Sequence, residues 1–405
     1  MSNKSNTSSF RYLELVLGTA ILLVLGSLYA WSTYRGTLVE EFNWSVSSAQ
    51  LTFSISMMAF CLGGLFSGIV SKKTGPRPML ILSAVLMFAG LIVASRISSL
   101  AGLYIAYGIL YGFGVGIGYN AVMGTIVKWF PDKTGLCSGV LLMGFGISSL
   151  VVGRVGAGLI NSIGWRTTFL YFGIVFGVIV LIAAFFVRLP KPEETAGLQG
   201  GASKKTEPFE EKDYRGMLKS ANFWLYFIWT IVLSSAGLVI VGNSAPFANT
   251  ITGSLETAAT IAGIISICNG LGRVFFGALF DKAGYRMTML IVAVLFIIST
   301  FILILANHTG SMGILIVSYV LVGLAYSGVT PTNSAFVAKF FGNTNYPLNL
   351  SIVNLCLLVA SYLPQVATML LDRTGNYDGA FYYMIVLAVI ALVLTFLIRA
   401  PKQEQ

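Results

Sequence analysis

Residues 277–286 read GALFDKAGYR, and residues 68–77 read GIVSKKTGPR. The two stretches share Gly, Lys, Gly and Arg at the same spacing and begin 209 residues apart. Two further pairs hold nearly the same separation: KWF at 128–130 with KFF at 339–341, and WRTTF at 165–169 with YDGAF at 377–381. These correspondences predict that the chain consists of two repeated halves.

Most of the sequence is apolar. Of its 405 residues, 56% are hydrophobic and 10% are charged, whereas about 25% of residues are charged in soluble domains. A helix of about 20 apolar residues crosses a bilayer, and twelve segments fit: 13–34, 48–70, 78–98, 100–127, 135–160, 167–187, 223–245, 257–280, 286–306, 312–338, 346–370 and 379–398. We therefore predict an all-α membrane protein whose twelve transmembrane helices form two pseudo-symmetric six-helix bundles.

One long polar interval divides the predicted spans six and six. Residues 189–222 contain proline, glycine and charges of both signs, which is typical of a flexible linker. We expect one six-helix bundle over residues 1–188, a cytoplasmic linker over 189–222, and a second six-helix bundle over 223–405.

The basic residues indicate the orientation of the chain. With the N-terminus inside, 19 of the 25 Lys and Arg residues fall on the inner side of the predicted spans, and basic residues near span ends remain cytoplasmic. Both termini are therefore predicted in the cytoplasm, with the chain in a plasma membrane (the inner membrane of a bacterium). The net charge of +10 reflects this orientation, so we expect no nucleic-acid partner.

The repeat also indicates a function. Repeated halves place a binding site between them near the bilayer midplane and can rock about it, so we expect a transporter that works by alternating access. An enzyme would need clustered nucleophiles, bases or metal ligands. His308 is the only histidine, and the four cysteines have no paired spacing. We therefore predict no enzyme activity, no cofactor and no metal.

The repeated loop resembles the signature of the major facilitator superfamily, which Gly277, Asp281, Lys282, Gly284 and Arg286 match in full. Four further stretches make the chain similar to the oxalate:formate antiporter family: GYN at 118–120, WFPDKTGLCSG at 129–139, FW at 223–224 and NGLGR at 269–273. The resemblance covers essentially the whole chain. It implies the major facilitator fold and a small organic anion as the substrate.

The superfamily signature also implies a conformational gate on the cytoplasmic side. Its residues are Gly277, Asp281, Lys282, Gly284, Arg286, Lys72 and Arg77. The first half departs from the signature, because Lys72 stands where the superfamily has an aspartate. The charge network of that carboxylate is therefore expected in the second half alone.

Arg273 is the one basic residue predicted near the middle of a span. It precedes Asp281 by eight residues, or about 12 Å of helix, and no acidic residue of the sequence is predicted at its depth. Burying a guanidinium is costly, and its planar fork suits a carboxylate. We expect Arg273 to bind an anionic substrate, and the resemblance places the family's substrate-binding arginine there. Alternatively, carbonyls or Asn269, one turn earlier, hold the guanidinium.

Other polar and aromatic residues are candidates for the walls of the cavity. The predicted substrate-binding set is Arg273, Asn269, Tyr29, Tyr119, Asn120, Tyr326 and Asn354. The family has cavity aromatics at the positions of Tyr29 and Tyr119. For the remaining wall residues, packing or the interfacial aromatic belt is an equally good explanation. Arg154, near the outer end of helix five, either snorkels to the interface or attracts anions.

Helix eleven argues against a dicarboxylate. The oxalate carriers of this family have a lysine there, but residues 347–364 contain no basic residue. In helix ten, Gly323 and Ser327 replace the family's tryptophan and tyrosine. A single cation suits a monoanion, because an uncompensated buried charge is costly. We therefore predict a monocarboxylate such as formate, acetate, lactate or pyruvate.

The acidic residues bear on energy coupling. No carboxylate is predicted mid-membrane, with Glu14 near the cytoplasmic start of helix one, whereas proton-driven carriers commonly titrate a buried acid. We expect a monomer that works by exchange or moves a proton on its substrate. A dicarboxylate antiporter of the oxalate/formate type, and a sensor that keeps the transporter fold, remain alternatives. The direction of transport stays open.

Overall fold

The computed structural model of the chain describes residues 2–199, 208–362, 370 and 374–400. In this part of the chain, ten helical stretches are long and apolar enough to cross a bilayer, and Tyr346–Ala360 forms a shorter apolar helix. The longest stretch, Thr134–Phe186, breaks at Gly164, whose φ of 77° is not helical, and so supplies two helices. The prediction of an all-α membrane protein with twelve helices is confirmed.

The helices are labelled in chain order and follow the predicted spans closely. They are α1 (Phe10–Phe42), α2 (Val46–Thr74), α3 (Pro76–Ala94), α4 (Leu100–Trp129), α5 (134–163), α6 (165–186), α7 (Ala221–Thr252), α8 (Leu255–Ala283), α9 (Tyr285–Thr309), α10 (Met312–Phe341), α11 (Tyr346–Ala360) and α12 (Asp378–Leu397). The end of the predicted eleventh span, 363–369, lies outside the described residues.

Two of these helices change their winding part-way. α1 contains a 3₁₀ turn at Gly26–Ala30, and α4 contains a π-helical stretch at Tyr104–Tyr111. Such changes of winding occur often at functional sites. In this chain, the turn in α1 contains Tyr29, a predicted wall residue.

The repeated loop forms the same turn in both halves. Gly75 ends α2 and precedes α3 with φ of 77°, and Gly284 ends α8 and precedes α9 with φ of 85°. Residues with a side chain rarely adopt this positive φ, whereas glycine does so readily. The two glycines of the sequence repeat therefore have the same structural role.

The structure divides into two compact units. The first contains the described residues up to Asp132, those from Val140 into the linker, and Tyr346–Leu355; the second contains Lys133–Gly139 and the rest of the C-terminal half. The start of α5 thus belongs to the second unit, and the start of α11 to the first. The predicted domain boundaries at residues 188 and 222 remain a prediction.

Glycines allow close packing inside the first unit. A side chain at Gly112 of α4 would lie 2.6 Å from the carbonyl oxygen of Ser56 in α2, and one at Gly116 would overlap that of Phe60. Small residues at helix contacts let backbones approach in membranes. The sequence GFGVGIG at 112–118 is therefore a packing surface.

Candidate functional site

Arg273 lies in α8, ten residues before the helix ends at Ala283, which is about 15 Å along the helix. Only 4% of its surface is exposed. Asn269, one turn earlier on the same helix face, is half-buried, and its Oδ1 accepts no hydrogen bond from the described residues. One face of α8 thus offers a guanidinium donor and an available amide oxygen.

Small residues bring other elements of the second unit close to Arg273. A side chain at Gly139, at the start of α5, would lie 2.5 Å from the backbone carbonyl oxygen of Arg273. Gly272 of α8 faces Ser327 of α10. Because Tyr326 is the neighbour of Ser327, Tyr326 and Arg273 lie at similar levels on packed helices.

Tyr326 itself is 9% exposed and lies against the backbone of Gly237 in α7. A side chain at Gly237 would overlap the tyrosine ring. Three predicted residues of the second unit therefore lie on two helices that pack against each other: Asn269 and Arg273 on α8, and Tyr326 on α10.

The predicted wall aromatics of the first unit share one neighbour, Phe145 of α5. The ring centroid of Phe145 is 5.4 Å from that of Tyr29 and 5.4 Å from that of Tyr119. Phe60 of α2 contacts Tyr119 at 5.1 Å and Phe145 at 6.0 Å. Phe145 and Phe60 are not among the residues predicted from the sequence. Their only signal is aromatic character, which 13% of the chain shares.

Asn120 of α4 is buried and bonded to α11. Its amide nitrogen donates to the carbonyl oxygen of Pro347 at 2.9 Å and to Oγ of Ser351 at 2.7 Å. The hydroxyl of Ser351 lies 2.8 Å from the carbonyl oxygen of Gly64 in α2. Asn354, later in α11, accepts from the thiol of Cys61 through its backbone oxygen at 3.4 Å. Of the three predicted asparagines, Asn120 and Asn354 therefore lie in the first unit.

Asp281 binds the start of α5. Its carboxylate accepts hydrogen bonds from the backbone N–H groups of Gly135 at 3.0 Å and Leu136 at 2.8 Å. These N–H groups are among those that a helix leaves without partners at its N-terminus, where negative charge is favourable. A side chain at Gly277 would overlap the carbonyl oxygen of Gly135, so both glycines are needed for this close approach.

The two arginines of the repeated loop make equivalent contacts. Arg77 donates to the carbonyl oxygens of Ala184 at 3.2 Å and Phe185 at 3.1 Å, at the end of α6. Arg286 donates to the carbonyl oxygen of Phe396 at 3.5 Å, near the end of α12. A cation at a helix C-terminus is favourable. Lys72 and Lys282, the lysines of the predicted gate, have exposed side chains.

A family comparison agrees with this arrangement. The model of the Major Facilitator Superfamily matches residues 16–253 and 231–405. The chain belongs to the Major Facilitator Superfamily. A member with a solved structure, a proton:xylose symporter bound to a bromodeoxyglucose, superposes with a TM-score of 0.73 at 18% identity, over 96% of this chain and 95% of that one. The major facilitator fold predicted from the sequence is confirmed.

Relatives within the superfamily include named carriers. The oxalate:formate antiporter of Oxalobacter formigenes is 28% identical over 347 residues, which are 83% of this chain and 80% of that protein. Monocarboxylate transporter 13 of Rattus norvegicus is 24% identical over 89% of this chain and 82% of its own length. The resemblance to the oxalate:formate antiporter family is confirmed.

The structure also buries a carboxylate that is predicted from the sequence only to lie near the cytoplasm. Glu14 in α1 has no exposed surface. The expectation that the chain has no buried acid, on which the coupling hypothesis was based, is therefore wrong. The sequence does not reveal this burial, because Arg11 and Asp132 near it suggest a solvated helix end, whereas the chain after α6 covers it.

Proposed function

We propose that this chain is a secondary transporter that moves a small monocarboxylate, such as formate, acetate, lactate or pyruvate, by alternating access. The observation that carries the proposal is the burial of Arg273, 4% exposed, inside the membrane-spanning helix α8. A guanidinium binds a carboxylate through two parallel hydrogen bonds. Ionisable residues inside membrane spans commonly mark substrate pathways.

The relatives support an organic anion as the substrate. One is named for oxalate and formate, and the other for monocarboxylates. Arg273 meets the need that these substrates share, since each carries at least one carboxylate. Asn269 would accept a hydrogen bond from a substrate hydroxyl or a bound water through its Oδ1.

The composition of α11 favours a substrate with one negative charge over a substrate with two. No lysine or arginine occurs between Tyr346 and Ala360, so α11 adds no cation to that of Arg273. A dianion would keep one charge without a cationic partner in a site of low dielectric constant, which costs free energy. Charge matching thus favours a monocarboxylate over oxalate.

We also propose the cellular arrangement predicted from the charges. The termini and the linker face the cytoplasm, the chain lies in a plasma membrane, and the protein works as a monomer. The excess of Lys and Arg in the predicted inner segments supports this orientation.

Counterflow in proteoliposomes tests the proposed substrate. Vesicles loaded with unlabelled formate, acetate, lactate, pyruvate or oxalate are diluted into the labelled form of the same compound, and protein-free vesicles serve as the control. We expect accumulation of at least one monocarboxylate and little of oxalate. Exchange of oxalate alone would support the dicarboxylate antiporter that the relative from Oxalobacter formigenes suggests. Saturable binding with no exchange of any compound would support a sensor.

A further inference from the structure

Glu14 is the most completely buried acidic side chain among the described residues. It has 0% exposed surface. The backbone N–H of Arg188 is the one hydrogen-bond donor near its carboxylate among the described residues, and it lies outside close hydrogen-bonding geometry. It lies one turn after Phe10, at the start of α1. One distant backbone donor does not replace the water that an ionised carboxylate loses on burial, which is very costly, whereas the neutral acid is tolerated much better.

A cover formed by Phe10, Trp129, Arg188 and Glu194 lies beside Glu14 in the first unit. The guanidinium carbon of Arg188 is 4.5 Å from the ring centroid of Phe10 and 4.8 Å from that of Trp129. The indole N–H of Trp129 donates to the carbonyl oxygen of Arg188 at 2.9 Å. This cover joins α1, α4 and the first residues after α6, and its two charged residues, Arg188 and Glu194, lie near the buried carboxylate.

The arginines around Glu14 are bound to other acids. Arg11, one turn earlier on α1, is 3.1 Å from the carboxylate of Asp132. Arg188 forms two hydrogen bonds of 2.8 Å with Glu194. Arg188 and Glu194 lie close enough to act on Glu14 electrostatically, and their opposite charges oppose each other there, with that of Arg188 the stronger. Neither arginine forms an ion pair with Glu14 within 4.0 Å.

We propose that Glu14 is a proton-binding site of this carrier, protonated in the conformation described here and deprotonated to the cytoplasm when the cover opens. On opening, the O–H bond of the carboxyl group breaks, the proton passes to cytoplasmic water, and the carboxylate keeps the electron pair. The role of Glu14 in transport rests on the proposed function, whereas the binding of a proton by Glu14 does not depend on it.

Infrared spectroscopy tests the site without any substrate. Purified protein at neutral pH is compared with Glu14→Gln and with Glu14→Met, a second variant in case the amide folds poorly. We expect a band of a protonated carboxyl group in the parent protein that both variants lack. Glu40→Gln, which alters an exposed acid, is the control and should keep the band. A band that persists in the Glu14 variants, or its absence from the parent protein, would overturn the proposal.

Uptake driven by a pH gradient tests the coupling. The parent protein should accumulate a labelled monocarboxylate several-fold more with an alkaline vesicle interior than at equal pH. Glu14→Gln should keep counterflow exchange but lose this increase, and Glu40→Gln should keep both. An equal increase in Glu14→Gln would mean that the substrate alone carries the proton, which contradicts a coupling role for Glu14. Failure of every compound in counterflow would refute the proposed function, while the infrared result would still decide the proton site.

Discussion

The carboxylate of Asp281 lies 3.0 Å from the backbone nitrogen of Gly135, although 146 positions of sequence separate the two residues. The bond joins the end of α8 to the start of α5 within the second unit. In the first unit, where Lys72 replaces the aspartate, the start of α11 is held by Asn120 of α4, which donates to the carbonyl oxygen of Pro347 and to Oγ of Ser351. A charged side chain therefore binds the start of α5 in the second unit, whereas a neutral side chain binds the start of α11 in the first.

Asp281→Asn tests the contribution of the charge. The amide keeps one acceptor oxygen but cannot accept from both N–H groups of α5, so we expect a loss of about 1 kcal/mol of stability. Thermal unfolding in detergent measures it. Asp213→Asn is the matched control, because Asp213 accepts from the N–H of Gly216 at 2.8 Å in a short linker helix. An equal loss in both variants would contradict a special role for Asp281.

Asn120→Ala tests whether this asparagine positions α11. The variant loses two hydrogen bonds and leaves the carbonyl oxygen of Pro347 with one donor fewer, so we expect a loss of about 1–3 kcal/mol. Its KM should change little, because the amide nitrogen is engaged by α11. Asn269→Ala is the comparison and should raise KM with a smaller effect on stability. The reverse pattern would place Asn120 in contact with the substrate.

The sequence predicted the fold well because its signals are local. Hydrophobic length marks each span, and the glycine of the repeated turn needs positive φ at both Gly75 and Gly284. The position of Arg273 inside a span could be predicted because a single charged residue within a long apolar segment can be recognised from the sequence alone. Phe145 and the cover over Glu14 could not, since they depend on contacts such as Trp129 with Arg188, which join residues far apart in the chain.

Arg77 and Arg286 should contribute unequally to stability. Arg77 makes two contacts near 3.1 Å with carbonyl oxygens of α6, whereas Arg286 makes one of 3.5 Å with α12. We expect Arg77→Gln to cost about 1 kcal/mol and Arg286→Gln to cost less, as measured by thermal unfolding of the two variants in parallel. A larger effect of Arg286→Gln would argue against this interpretation of the repeat.

The attachment of the linker should depend on pH. The hydrogen bonds from Arg188 lower the pKa of Glu194 from 4.5 to about 2. Since the folded pKa is the lower one, the stabilisation is complete above pH 4.5 and is lost as the pH falls toward 2. A dye on Thr195→Cys should show anisotropy that is constant above this range and falls within it.

Glu194→Gln supplies the control for the linker measurement. This variant cannot form the ion pair, so the anisotropy of the same dye should be low at every pH. A pH profile that is identical with and without Glu194→Gln would show that another group is responsible.

The central claim is that Arg273 binds the carboxylate of the substrate, and exchange by Arg273 variants in proteoliposomes tests it most directly. Arg273→Gln removes the charge, and Arg154→Gln is the matched control, because Arg154 has an exposed side chain on α5. We predict that Arg273→Gln remains folded but loses monocarboxylate exchange, that Arg273→Lys recovers a small part of it, and that Arg154→Gln stays close to the parent protein. Undiminished exchange by folded Arg273→Gln would contradict the account.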